Sequence, residues 1–265
     1  MIVAIEAIGC WGEGLHGWPT VQNILRGEAS LCAESLKLPA PTSLPINEQR
    51  RASQIIRLAV LCAEEACQQT PYKPEDLPII FASSNGDGFI INRILESLTT
   101  PGGAVSPSLF HNSVHNAPAG YWMIGHHSHQ SAVSLGLHDE TLPAALLKAA
   151  IEAHIEQRPV LFCIYDAPVP GSLGTARRTD HAFSCAFILT PGTNGALSLT
   201  LSFQEGKGEA TPPPPLPDVM MNILRHNPAG HVLPLLYAIA HKRDCTLTLP
   251  YGANHLRLAL AHANS

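Results

Sequence analysis

The chain has 265 residues, 45% of them hydrophobic and 14% charged, with a net charge of −5. That composition is globular, and the length fits one large domain over 1–265. The modest negative charge argues against nucleic acid or an anionic membrane as the main partner. No apolar run is long enough to span a bilayer, and the opening residues, MIVAIEAIG, lack the basic region of a signal peptide, so a cytoplasmic location is expected. The cysteines Cys10, Cys32, Cys62, Cys67, Cys163, Cys185 and Cys245 show no C-x-x-C spacing. They read as reduced and mostly buried.

In chain order, residues 2–8 form a strand that enters a loop carrying Gly9, Gly12, Gly14 and Gly17, whose spacing lacks a phosphate-binding pattern. An exposed connection follows through Pro39, Pro41 and Pro45. A helix opens at Asn47 or Glu48 and runs to about Gln69, with an apolar stripe of Ala52, Ile55, Ala59, Cys62 or Ala63, and Ala66. Residues 77–83 read as a buried strand, and 84–88 as a capping turn into a helix over 89–98.

Residues 105–150 read as loop, helix, strand, sharp turn, helix. The strand is 132–137, and the turn is His138, Asp139, Glu140 and Thr141. Pro143 belongs in the first turn of the next helix, where its missing N–H is not needed. Such a turn aims backbone N–H groups and a positive dipole end at whatever it carries, here an acidic cluster. A helix over 144–157 follows, with Leu147, Ile151 and Ile155 in one i, i+4 row, then a buried strand at 160–165 and a rigid loop at 166–171. Strands at 182–190 and 196–203 are joined by 191–195, a turn suited to a hairpin. Residues 205–218, with Pro212 to Pro215 and Pro217, form an exposed polyproline-like linker. Residues 219–225 and 231–241 read as helices, and 245–249 and 255–261 as closing strands.

His111, His115, His126, His127, His129 and His138 lie close together in sequence. His111 and His115 have the i, i+4 spacing that a zinc site on one helix uses. No carboxylate partner is evident, and a surface or interface role is the simpler reading, so no metal is assigned.

The central stretch resembles the nucleophile region of β-ketoacyl synthases, in the thiolase-like superfamily. In that family a Ser-Pro leads into an Asn-x-x-Ala-Gly helix, then a strand, then an Ala-Cys-x-Ser-Gly turn. Here Ser106 and Pro107 precede Asn116, Ala117, Pro118, Ala119 and Gly120, and then 131–137. The register sets Asp139 on the catalytic cysteine and His138 on the small residue before it. No cysteine lies between Cys67 and Cys163, and Gln130 and Ser131 stand where the family has Gly-Pro. The resemblance covers roughly 75–200. It implies an α/β protein with the thiolase-like layered αβαβα fold. The N-terminal half, about 1–195, is largely kept, and the C-terminal half, 196–265, is reduced.

Condensation needs an acyl-accepting thiolate and two acid/base side chains, usually histidines. The family's His-Gly-Thr loop is absent, and only 227–231, Asn-Pro-Ala-Gly-His, is faintly similar to its Gly-His loop. A carboxylate such as Asp139 can act as a nucleophile, usually with a dedicated partner. Capping by Asp139 or Thr141, with Glu140 in the same turn, explains the acidic cluster without catalysis, since the helix dipole stabilises charge there by about 0.3–1 kcal/mol.

The resemblance therefore implies a non-catalytic subunit, similar to the chain-length factors of type II polyketide systems and most of all to the small subunits of aryl polyene pigment clusters. It implies a heterodimer with an active β-ketoacyl synthase and transient contact with an acyl carrier protein. No cofactor is expected beyond the phosphopantetheine arm that carries the substrate. The implied interface and acyl-tunnel residues are Phe110, His111, Val114, His115, Asn116, Ala117, Pro118, Tyr121, Trp122, Val133 and Leu135. The alternative is a diverged acyltransferase or thioester hydrolase on the same scaffold, using Asp139 or a histidine. A third reading is a metal-binding or regulatory protein using the histidine cluster.

Overall fold

A computed structural model describes residues 1–31, 35–193, 195–209 and 211–263. Cys32, Asn194 of the 191–195 turn and Ala210 of the linker lie outside the described residues. The first strand, β1 (Ile2–Gly12), runs through two of the glycines expected in a loop. Gly9 is needed there because a Cβ would come 2.0 Å from the Cys62 carbonyl oxygen. After β2 (Leu15–His16) comes an unexpected short helix, α1 (Trp18–Leu25), with Pro19 in its first turn. The single helix expected to Gln69 is instead two, α2 (Ile46–Arg51) and α3 (Gln54–Gln68). Ala52 turns to ψ 119° and Ser53 restarts the helix, its side chain accepting from the Ile56 N–H. The expected stripe, Ala52, Ile55, Ala59, Cys62, Ala63 and Ala66, is buried throughout.

The chain continues through β3 (Ile79–Ala82), α4 (Gly88–Thr99), α5 (Pro107–Asn112), α6 (Ala117–His126), β4 (Ala132–Leu135) and α7 (Thr141–Glu156). Then come β5 (Val160–Asp166), α8 (Gly171–Ala176), β6 (Phe183–Pro191), β7 (Leu197–Gln204), α9 (Asp218–His226), α10 (Leu233–Ala240), β8 (Cys245–Tyr251) and β9 (Asn254–His262). The strands form one nine-stranded sheet in the order β4-β3-β5-β6-β1-β7-β9-β8, with β2 beside β1. β4, β3 and β5 are mutually parallel, and the other pairings are antiparallel.

β6 and β7 do not form the expected hairpin. β1 lies between them, pairing with β6 on one side and β7 on the other. The end of β6 and the start of β7 therefore lie one strand apart, roughly 10 Å at the usual interstrand spacing. β1 earns that central position by being apolar on both faces: Val3, Ile5, Ile8 and Cys10 face one core, and Ala7 the other.

Two cores sandwich the sheet. One joins it to α3 and α6. The other joins it to α1, α7, α9 and α10. α7 lies on β1, β3, β5 and β6 and also meets β8 and a 3-10 turn at Pro228–Val232, so its first six residues are buried. Its later half is covered on one side only. Of the Leu147, Ile151, Ile155 row, Leu147 is half-buried against the core while Ile151 and Ile155 face outward, Ile155 72% exposed; Ala145, Leu146, Ala149, Ala150 and Ala153 face the sheet. Small residues won the inner face because they let the helix approach the strands closely. The six described cysteines are free; Cys245 is half-buried and the rest buried. Among the described residues, no helix is long and apolar enough to cross a membrane.

Candidate functional site

Parallel strands bring their carboxyl ends to one edge of a sheet, and a site assembles from the turns that follow. Here the turns after β3, β4 and β5 meet. At the centre is Asp166, the last residue of β5, fully buried. Its carboxylate accepts from the Ser83 hydroxyl at 2.7 Å, the Asn85 N–H at 2.9 Å and the Ser84 N–H at 3.2 Å. Burial pushes its pKa up to about 6, against these hydrogen bonds, which pull it down. This buried acceptor moulds the 83–88 turn. Asp87 then caps α4 by accepting from the Ile90 N–H at 3.0 Å, as the capping reading of that turn expects.

The shaped turn holds Arg177, from the loop after α8. Arg177 donates Nη2–H to the Ser84 hydroxyl at 2.8 Å and Nε–H to Asn85 Oδ1 at 3.1 Å. The same guanidinium reaches Asp139 Oδ1 at 2.6 Å. Asp139 therefore does not cap α7. It is an ion-paired carboxylate, held below the usual range first by the hydrogen bond from Arg177 and further by the charges around it. Thr141 does not cap forward either: its hydroxyl accepts from the Leu137 N–H at 2.9 Å and donates to the His138 carbonyl at 2.7 Å. That clasp keeps the turn tight, and His138 takes the left-handed conformation, φ 49°. Glu140 accepts from the Gly252 N–H at 2.8 Å, tying the turn to the end of β8.

The faintly matching 227–231 segment arrives at this turn. Asn227 is buried and donates to the carbonyls of His181 and Asp166 at 2.8 and 3.2 Å. His231 stands at Asp139. Burial lowers its pKa, with the neighbouring Asp139 charge opposing the fall, so the ring favours its neutral form. Asp139, Arg177, Arg178, Arg225, His226 and His231 line a cleft of about 330 Å³. At the turn that carries the acidic cluster there are thus, among the described residues, a paired carboxylate and a histidine that favours its neutral form, and no thiol: the nearest cysteines in sequence, Cys67 and Cys163, are in the core.

The predicted seam residues fall into three groups. Phe110, His111, Val114, His115 and Asn116 are exposed, Phe110 by 66%. Ala117, Pro118, Tyr121 and Trp122 are buried; Trp122 packs on Phe81 and on the His126 ring, and the Tyr121 hydroxyl donates to Asn112 at 3.1 Å. Val133 and Leu135 are half-buried on β4. His111 and His115 do not share a helix, because α5 ends at Asn112, and His115 is instead 2.8 Å from the Ser83 carbonyl. His126 pairs with Glu64 at 3.3 Å. Among the described residues no three His, Cys, Asp or Glu side chains gather as a metal site.

Among the described residues β4 is an edge strand, bonded only to β3. Its Ser131 and Leu135 carbonyls accept from Ile79 and Ser83 N–H groups. By strand alternation the N–H and C=O groups of Ala132 and Ser134 face the open side. Exposed Phe110, Val114 and Leu137 come from the segments on either side of β4 in sequence.

Sequence reasoning missed Arg177, Asp166, Ser83 and Asn85. The available signal was a buried strand ending in an acid: an Asp at the carboxyl end of an apolar parallel strand must be satisfied by neighbouring turns.

Comparison with known proteins gives a coherent set. Residues 23–226 match the family described as β-ketoacyl synthase, N-terminal domain. No curated protein matches in sequence. Among solved structures, the fold is similar to a ketosynthase (ApeO) in complex with its chain length factor (ApeC) from Xenorhabdus doucetiae. The TM-score is 0.73 at 19% identity, covering 99% of this chain and 100% of that one. It is also similar to the ishigamide ketosynthase/chain length factor, with TM-score 0.68 at 10% identity and 100% of both chains covered. A third is the PfaC keto synthase–chain length factor, with TM-score 0.66 at 10% identity, covering 99% of this chain and 48% of that one. At these identities the likeness is one of fold, and it matches the thiolase-like α/β layering expected from the central stretch.

Proposed function

Because the chain belongs to the β-ketoacyl synthase family, through its N-terminal domain, we propose that it is a non-catalytic ketosynthase-like subunit, a chain-length factor. It pairs with an active β-ketoacyl synthase and limits the length of the acyl chain that the pair builds on an acyl carrier protein, in polyene, polyketide or fatty-acid-like elongation. The observation that carries this reading is Asp139. The family register sets it where a thiolate would accept the acyl group, and its carboxylate is bound by Arg177 at 2.6 Å. A carboxylate so paired is a poor nucleophile, because attack would strip it of its best hydrogen bond.

The open β4 edge supports the pairing. An unpaired, partly apolar edge strand is a template for another chain, and isolated proteins normally protect such edges. Phe110, His111, Val114, His115 and Asn116 supply the exposed contact surface beside it. Tyr121, Trp122, Ala117 and Pro118 act behind that surface, as the packing that fixes α6. No cofactor is bound in this reading; the substrate rides on the phosphopantetheine arm of the carrier.

The second reading, a diverged acyltransferase or thioester hydrolase, draws on one observation, the neutral His231 beside Asp139. Incubation with an acyl thioester followed by intact-mass measurement separates the two. The subunit reading expects no covalent acyl adduct on this chain, whereas an adduct lost on Asp139→Asn would establish the enzyme.

A further inference from the structure

The cleft beside Asp139 shares a wall with a second hollow of different character. That groove, about 380 Å³, lies between the proline-rich segment, α9, α10 and β8. Met221, Leu224, Pro234, Leu247 and Leu249 give it an apolar lining. Its volume falls within the roughly 300–1,000 Å³ of small-molecule sites. Arg225 and His231 line both hollows.

The cations of the cleft are not equally engaged. Arg177 is bound to Asp139, and Arg178 to Asp180 at 2.7 Å. Among the described residues the Arg225 side chain has no hydrogen bond or ion pair, and it is exposed at the mouth of the apolar groove. The lining of the cleft holds three arginines against one carboxylate. A free guanidinium beside a largely apolar groove is complementary to an anionic head joined to a flexible apolar chain.

We propose that this chain binds a single-chain anionic amphiphile, its aliphatic tail in the groove between α9, α10 and β8 and its head on Arg225. Carboxylate and phosphate heads both suit a planar guanidinium, so the shared chemistry is an oxyanion on an alkyl chain. Every residue involved belongs to this chain and none to the β4 edge, so the proposal stands apart from the pairing proposed above.

The test is titration calorimetry on the purified full chain, below micellar concentrations, with octanoate, decanoate, dodecanoate, dodecyl phosphate, dodecyltrimethylammonium and inorganic phosphate. The expected result is saturable binding of the anionic amphiphiles that tightens with chain length, by up to about fourfold per buried methylene. The quaternary ammonium should not bind, and inorganic phosphate only weakly. The tighter of dodecanoate and dodecyl phosphate identifies the head. Arg225→Gln should weaken binding at least about tenfold, the loss of a hydrogen bond to a charged group. That residue is exposed, so its melting temperature should be unchanged. Leu249→Gln should flatten the chain-length dependence. Absence of saturable binding, equal binding of cationic and anionic amphiphiles, or full affinity in Arg225→Gln would each overturn the proposal.

Discussion

Asp166 makes the stability of this protein fall as pH rises through the mildly acidic range. Its folded-state pKa is raised from 3.8 to about 6 by burial. Between these values the unfolded chain gives up its proton while the folded chain retains it, so ionisation favours the unfolded state. The stability present below about pH 4 is therefore lost as pH climbs to about 6, and the curve flattens above. About two units at about 1.4 kcal/mol each give a loss of about 3 kcal/mol. Asp139, Asp180 and Asp244 are held below the usual carboxylate range and act in the opposite sense, at lower pH. Urea denaturation of the native sequence and of Asp166→Asn across this range isolates the effect, because the difference between the two curves cancels the other carboxylates. The difference should slope by about 3 kcal/mol between about pH 4 and 6. At neutral pH the substitution should shift stability little in either direction, relief of the buried charge being offset by the mismatch of an amide NH₂ with the Ser84 and Asn85 N–H donors. Parallel curves for the two proteins would refute the buried, ionisable Asp166.

Three further outcomes follow. Arg177→Ala should raise the Asp139 pKa toward the ordinary carboxylate value in a carbon-detected NMR titration, yet cost only about 0–1 kcal/mol, since Asp139 is 58% exposed. Gly9→Ala should destabilise the chain by about 1–3 kcal/mol or more in thermal unfolding, because the new methyl would meet the Cys62 carbonyl and push α3 off the sheet. Trp122→Ala should cost about 3–5 kcal/mol, as a fully buried core side chain; a loss under about 1 kcal/mol would instead make Trp122 a lining residue.

The local patterns of this sequence carried most of its elements. Alternation and apolar runs marked β3, β4, β5, β8 and β9, and the three-and-four spacing marked the buried face of α3. Long-range competition decided the rest. The turn chemistry of 191–195 favours a hairpin, but β1, apolar on both faces, takes the position between β6 and β7. The Leu147, Ile151, Ile155 row has the spacing of a buried stripe, yet alanines occupy the inner face because they allow a closer approach. At the acidic turn the local rule for helix caps pointed Asp139 at its own backbone. Arg177, distant in sequence, offers a charged partner that a neutral N–H cannot match. The site was legible as a turn and illegible as a cluster, since Arg177, Asp166 and His231 reach it only through the topology of the sheet.

The role proposed for this chain is that of a silent partner of an active β-ketoacyl synthase. The most direct test is co-expression with cysteine-bearing β-ketoacyl synthases, followed by size-exclusion chromatography with mass determination, with Ser134→Pro in parallel. A stable 1:1 complex is expected for the native chain. The variant should be folded but unpaired, since proline removes an N–H from the open side of β4 and leaves the bonds to β3 intact. A native chain that remains a well-behaved monomer beside every synthase tried would contradict the proposed pairing.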